Sequence, residues 1–252
     1  MKVINLKKYI SVLSLYIRSS LYKLIALIML MALAQILMFK NILRPVMVDE
    51  VLTQALLGIE NYIDRSKIIL VFGVAFLTLT AFLTITGCEF GSKQGYTLRR
   101  LRISEKEILY CQASANIFMY TVFFISEVII AFILCQIYMN FALESNLADV
   151  THINHQTIFL AFYRNDFLHG LLPLDDIIRH LTNALSVISL GFTGAVFPYF
   201  LRRRRISLEM FILIPFIIFN FTNNEPYFAI AACLIFTGLA MVRIGMEAKA
   251  YD

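Results

Sequence analysis

Tryptophan is absent from the 252 residues, and both charged residues and cysteine are scarce. The lack of tryptophan argues against a haem-handling membrane protein of the tryptophan-rich kind. The four cysteines, Cys88, Cys111, Cys135 and Cys233, lie in or beside apolar runs and form no C-x-x-C pair, so neither a disulfide framework nor a zinc site is expected. Only 15% of the residues are charged and 60% are hydrophobic, which is too apolar for a soluble domain of this size. We therefore expect an integral membrane protein.

Three motifs are also missing. The sequence has no G-x-x-x-x-G-K phosphate loop, so ATP binding through that motif is excluded and any ATP chemistry would lie on another chain. No secretory signal peptide is expected, because the first apolar run begins late, is too long and lacks a small-residue cleavage site. No catalytic set at membrane depth is visible, since the histidines lie in or beside one polar connection and Glu127 is alone inside an apolar run. We do not expect an enzyme.

The apolar runs that are present predict an all-α membrane protein, with six transmembrane helices in a single domain over residues 1–252. The predicted spans are 21–39, 68–87, 113–139, 180–201, 208–221 and 227–242. The last two are shorter than the roughly 20 residues that a straight crossing needs, and the brief turn between them makes them a helical hairpin. The polar connections after the first and third spans predict an extracellular cap.

Residues 5–18 precede the first span and have a helical division of polarity. Leucine and isoleucine lie on one face, and lysine, serine and arginine lie on the other. This pattern predicts an amphipathic helix in the plane of the membrane surface, with its basic side toward the lipid headgroups. The alternative is a cytoplasmic helix packed on protein.

The distribution of charge predicts the orientation. With six spans, the amino terminus, the 88–112 insert, the 202–206 turn and the carboxyl tail share one side and hold 16 Lys and Arg residues, and the other side holds six. Ten acidic residues lie on the second side. The side with 16 basic residues is therefore expected to be cytoplasmic, with both termini. The basic residues form short clusters, a pattern that suits membrane orientation and lipid contact better than nucleic-acid binding.

The insert between the second and third spans carries the most informative pattern, EFGSKQGYTLRRLRISEKEI at 89–108. Basic residues alternate with leucine and isoleucine, which predicts a short amphipathic helix with a basic face. The order Gly95-Tyr96-Thr97-Leu98, followed by Ile103-Ser104-Glu105-Lys106-Glu107-Ile108, resembles the cytoplasmic insert of ABC-2 type permeases. Arg102 stands where that family usually has proline, Glu105 where it usually has a basic residue, and Arg99 near an expected acid.

The resemblance implies that this chain is the membrane subunit of a bacterial ABC exporter in the plasma membrane. The ATPase would be a separate nucleotide-binding subunit, which would hold ATP and magnesium, with no cofactor in this chain, and a second permease copy or homologue would complete a dimer. The coupling helix would lie in the insert. The residues expected to couple to the ATPase are Gly95, Thr97, Leu98, Arg99, Arg102, Ile103, Ser104, Glu105 and Lys106. The 22 phenylalanines and 12 tyrosines suit an amphipathic or lipid-like cargo. Likeness to small permeases of peptide-toxin export and bacteriocin immunity makes a hydrophobic peptide the best guess for that cargo.

Some polar and small residues have two interpretations each. Glu127 is a candidate for the translocation path or for gating, or it pairs with Asn183 or Gln35 and holds the third span in place. His152-x-x-His155 could bind a metal, but a solvated cap is favoured. Four small residues of the fourth span are candidates for a dimer seam or for packing inside one subunit: Ala184, Gly191, Gly194 and Ala195. The run 202–205 is a topology anchor, with a second contact to the ATPase or to anionic lipid as an alternative.

The sequence is also consistent with a different function. The substrate-capture module of an energy-coupling importer is also a small six-span membrane protein. Such a module would not need a basic amphipathic insert after its second span, and it would concentrate polar residues in its outer connections. The insert favours the exporter, and the polar outer connections keep the capture module as an alternative.

Overall fold

The computed structural model describes residues 6–46, 58–88, 105–144, 155–202, 205, 207–222 and 226–249. These residues are almost entirely helical, and no strand occurs among them. The helices are α1 (Leu6–Val46), α2 (Ile59–Arg65), α3 (Ile68–Cys88), α4 (Glu105–Glu144), α5 (His155–Arg164), α6 (Asp166–Leu171), α7 (Ile177–Arg202), α8 (Glu209–Thr222) and α9 (Pro226–Lys249). The expectation of an all-helical chain is confirmed for this part of the sequence.

Five of the described helices, α1, α3, α4, α7 and α9, contain apolar stretches long enough to cross a bilayer. Their exposed surfaces carry many large hydrophobic side chains, such as Leu30, Val74 and Ile129. Exposing so large an apolar surface to water would be energetically unfavourable, whereas contact between this surface and lipid tails would not be. The protein is a multi-pass membrane protein. The sixth apolar helix, α8, has 14 residues and is shorter than a straight crossing requires.

The prediction of a separate helix over residues 5–18 is wrong for the described residues. One helix, α1, runs without interruption from Leu6 to Val46. It contains no glycine, and its only proline is Pro45 in the last turn, so nothing in the sequence breaks the backbone hydrogen bonds between residue 18 and residue 21. The amphipathic stretch is therefore the first part of the same helix that carries the apolar span.

Two other helices are longer than the spans predicted for them. Helix α4 begins at Glu105 and ends at Glu144, so it is longer at both ends than the predicted 113–139. Helix α9 continues to Lys249, and its apolar part, Pro226–Ile244, has 19 residues. That length is sufficient for a crossing, so the expected shortness applies to α8 and not to α9.

Contacts between helices establish their relative directions. The Tyr9 and Ser114 hydroxyls are 2.8 Å apart, and further along both helices Gln35 contacts Glu127, so α1 and α4 run the same way. Helix α3 runs opposite to α4, because Phe72 packs on Phe124 and Thr80 on Tyr120. We call the end at which α3 ends and α4 begins the insert end, and the end at which α2, α5 and α6 lie the connection end.

The interior between these helices is filled by aromatic rings. Phe72 of α3 lies at the centre, and its ring is within 6.3 Å (centroid to centroid) of five others. They are Phe76, Phe123, Phe124, Phe167 and Phe221. Offset and edge-to-face pairs of this kind stabilise a core beyond the burial of their area. Part of the phenylalanine content that favoured a hydrophobic cargo is therefore packing within one subunit.

Candidate functional site

Most of the predicted coupling residues lie outside the described residues. Gly95, Thr97, Leu98, Arg99, Arg102, Ile103 and Ser104 belong to the segment 89–104, which is not described. Glu105 and Lys106 are the first two residues of α4, and the Lys106 side chain is exposed. The described structure therefore shows where the insert leaves α3 and where it joins α4.

The end of α3 packs against α4 about two turns after α4 begins. A Cβ placed on Gly87, near the end of α3, would collide with the amide of Gln112 in α4 and approach Pro198 Cγ of α7 to 2.8 Å. Glycine is thus required at position 87 by the close approach of three helices. Helix α3 therefore ends beside this three-helix junction, and α4 begins at Glu105, seven residues before Gln112.

Gln112 was not singled out in the sequence. Its side chain is buried, and neither its Nε2 nor its Oε1 has a hydrogen-bond partner among the described residues. A small cleft beside it is lined by further polar side chains, including Tyr16, Ser20, Thr86 and Asn116. A buried amide without partners is costly, so a water in this cleft would stabilise the junction. The only signal in the sequence is a glutamine beside an apolar run.

The first part of α1 packs against the beginning of α4. Val12 and Tyr16 of α1 form one buried cluster with Cys111 and Ala115 of α4. Tyr9 also meets Ser114, so one side of the amphipathic stretch contacts protein, whereas Ile10 of its apolar face is exposed. Of the two interpretations of residues 5–18, packing on protein describes the contacts of residues 9–18.

A second charged feature lies at the insert end. Glu209, at the start of α8, is almost fully buried, and its Oε1 lies 2.7 Å from Nη1 of Arg243 in α9. The Ser207 hydroxyl also donates to Glu209 Oε2. Sequence reasoning missed this pair, because 34 residues and a turn separate its members. Arg205, in the turn after α7, is exposed.

Glu127 lies deep in the bundle and is 1% exposed. Gln35 of α1 donates from Nε2 to Glu127 Oε1 at 2.8 Å. Of the two partners considered from the sequence, Gln35 is therefore the one in contact. Asn183 instead donates to the Gly170 carbonyl of α6 at 2.8 Å. The role of Glu127 in a path or gate stays a prediction.

Three of the four small residues of α7 face the inside of the subunit. A Cβ on Gly191 would collide with Ile117 and approach the Ala113 carbonyl to 3.1 Å. One on Gly194 would approach Asn116 Nδ2 to 3.3 Å, and Ala195 is fully buried. These residues let α7 approach α4 closely, which favours packing inside one subunit over a dimer seam. Ala184 is exposed.

The connection end is held by side chains of α2 and α6. Asn165 caps α6 by accepting from Leu168 N at 3.0 Å, and its Nδ2 donates to Asp64 Oδ1 at 2.8 Å. Burial raises the pKa of the Tyr62 hydroxyl in α2 above its ordinary value, and the Arg65 charge partly opposes this. His169 Nε2 lies 3.9 Å from Asp175 Oδ1. Among the described residues no group of three or more His, Cys, Asp or Glu side chains could hold a metal, and His152 lies outside them.

Comparison with known proteins does not assign the chain to a family. No family model, no curated protein and no solved structure matches the chain.

Proposed function

We propose that this chain is the membrane permease subunit of an ATP-driven ABC-2 type exporter. In this proposal a separate ATPase subunit binds the insert between α3 and α4, and its ATP-driven closure moves the insert. A second copy or a homologue of this chain completes the transporter. The fold would then be the six-helix permease plan, with α8 as a short fifth span, a coupling helix in segment 89–104 and an extracellular cap.

The observation that carries the proposal is the junction beneath the insert. Segment 89–104 contains four of the basic residues. It follows Cys88, next to the point where α3, α4 and α7 meet at Gly87, Gln112 and Pro198, and it leads into α4 about two turns before Gln112. Closely packed helices transmit displacement, because little empty space remains between them to absorb the movement of one helix. A push on the insert would therefore act on three helices at once.

The orientation and the cargo follow from the same proposal. The insert end would face the cytoplasm of a bacterial cell, since the basic residues concentrate there. The packed rings around Phe72 fill the interior of one subunit, so we place the cargo path along the outer apolar surface, between two copies. Such a path suits a hydrophobic or amphipathic cargo, and a peptide is our first choice.

A pull-down from native membranes tests this function. The tagged chain is extracted in mild detergent, and ATP hydrolysis is measured on the eluate. We expect a P-loop ATPase to co-purify and to be lost when Arg102 and Glu105 are both changed to alanine. The matched control changes Arg164 and Glu60, an ion pair at 3.7 Å at the connection end, to alanine and should retain the ATPase.

Recovery of the chain without any ATPase in several detergents would contradict the exporter. The alternative would then be the substrate-capture module of an energy-coupling importer. Mass spectrometry of small molecules released from the purified chain would test that alternative directly.

A further inference from the structure

The contact between Gln35 and Glu127 leaves two atoms without partners. Gln35 Nε2 donates to Glu127 Oε1, yet the other polar atom of each group, Gln35 Oε1 and Glu127 Oε2, has no hydrogen-bond partner in the described part of the chain. Both side chains are essentially inaccessible, at 0% and 1% exposure. Two buried acceptors without donors are a costly arrangement, and an explanation is required.

One proton would satisfy both atoms. An ionised carboxylate can only accept hydrogen bonds, whereas a protonated carboxyl also has an O–H donor. A primary amide and a carboxylic acid are both planar groups with two polar atoms, so they can form two parallel hydrogen bonds. The amide N–H then donates to one carboxyl oxygen, and the carboxyl O–H donates to the amide oxygen. The two atoms left over here are the two that the second bond would join.

The described surroundings of Glu127 supply no positive charge that could stabilise an ionised carboxylate. Within the described residues, no lysine, arginine or histidine forms an ion pair with Glu127. Residues 24–39 of α1, 68–87 of α3, 181–198 of α7 and 210–222 of α8 contain no titratable side chain at all. On α4 itself the nearest titratable groups are Tyr120, whose hydroxyl donates to Thr80, and Cys135. A buried carboxylate without a cation is strongly disfavoured at membrane depth.

We propose that the Gln35–Glu127 pair is a proton-binding site, in which Glu127 holds a proton at neutral pH and donates it to Gln35 Oε1. The pair then joins α1 to α4 through two neutral hydrogen bonds inside the bundle. Separating the two helices exposes the carboxyl to water, where a glutamate ionises at neutral pH because its ordinary pKa is about 4.3. Opening of this contact and release of one proton are therefore a single event. The inference does not depend on the proposed transport function.

Infrared spectroscopy of the purified full-length chain at neutral pH tests the site, in dodecyl maltoside micelles because that detergent lacks the ester carbonyls of lipids. Carboxyls exposed to water are ionised under these conditions, so a protonated carboxyl gives a C=O stretching band that few other groups contribute. We expect this band in the wild type, a shift of the band on exchange into D₂O, and its loss in Glu127→Gln. Gln35→Met should move the band to higher frequency, because the acid loses its acceptor and its donor.

The control variant is Gln112→Met, which removes another buried glutamine and should leave the band unchanged. Absence of the band in the wild type, together with loss of carboxylate absorption in Glu127→Gln, would overturn the proposal. A band that Gln35→Met leaves in place would also overturn it, and that comparison remains valid even if Glu127→Gln does not fold.

Discussion

Glu209 Oε1 and Arg243 Nη1 are 2.7 Å apart, an ion pair between the first turn of α8 and the last apolar part of α9. Glu209 is nearly buried whereas Arg243 is about half exposed, so the two charges differ in their access to water. The pair holds the short helix α8 against α9 at the insert end. Hairpin α8–α9 is therefore fixed by a charge contact as well as by apolar packing.

Removing one member of this pair should cost more than removing both. Arg243→Met leaves the Glu209 carboxylate without its cation, and we expect a loss of about 1–3 kcal/mol in the free energy of unfolding. Glu209→Gln combined with Arg243→Met should recover part of that loss. Stability is measured by denaturation in mixed detergent micelles. Equal losses in the single and double variants would contradict the interaction.

Gly191 should be intolerant of a side chain, because its Cβ would collide with Ile117 of α4. We expect Gly191→Ala to destabilise the chain by about 1–3 kcal/mol, the usual cost of overpacking. The matched control is Gly238→Ala in α9, where no atom lies within 4 Å of the added Cβ. Alanine favours helix over glycine by about 1 kcal/mol, so the control should be neutral or stabilising. Thermal unfolding of both variants makes the comparison.

Asn165 should be needed for two separate reasons at the connection end. Asn165→Ala loses both the cap of α6 and the bond to Asp64, and we expect hydrogen exchange to accelerate in α2 and α6. Asn165→Asp keeps an acceptor for the cap but places a second carboxylate beside Asp64. This variant should therefore exchange faster than wild type at neutral pH and recover in acid. If hydrogen exchange in α2 and α6 of Asn165→Ala has the wild-type rate, neither hydrogen bond is important.

The orientation of the bundle can be measured with two exposed positions at opposite ends. Lys106→Cys lies at the insert end and Arg164→Cys at the connection end. In a background without the four native cysteines, we expect a membrane-impermeant maleimide to label Arg164→Cys on intact cells. Lys106→Cys should react only after the cells are opened. The reverse pattern would contradict a cytoplasmic insert end.

The apolar spans could be predicted from the sequence because a run of hydrophobic residues is a local property. The surface that the first part of α1 contacts could not, since an amphipathic pattern over residues 5–18 fits a lipid surface and a protein surface equally well. Its actual partners, Cys111 and Ala115, are about a hundred residues away in the chain. The choice between Gln35 and Asn183 for Glu127 likewise depends on helix register, which the sequence does not contain. The role of the insert in coupling remains a prediction.

The two longest helices, α1 and α4, have 41 and 40 residues, which correspond to about 60 Å each at 1.5 Å per residue. A bilayer core of about 30 Å leaves a large part of each helix outside the hydrocarbon. Tyr9 meets Ser114 near the insert end, where the two helices form one composite surface. In a genetic screen, defects caused by substitutions in residues 9–16 should therefore be suppressed by second-site changes in residues 108–115, and the two groups should share one phenotype.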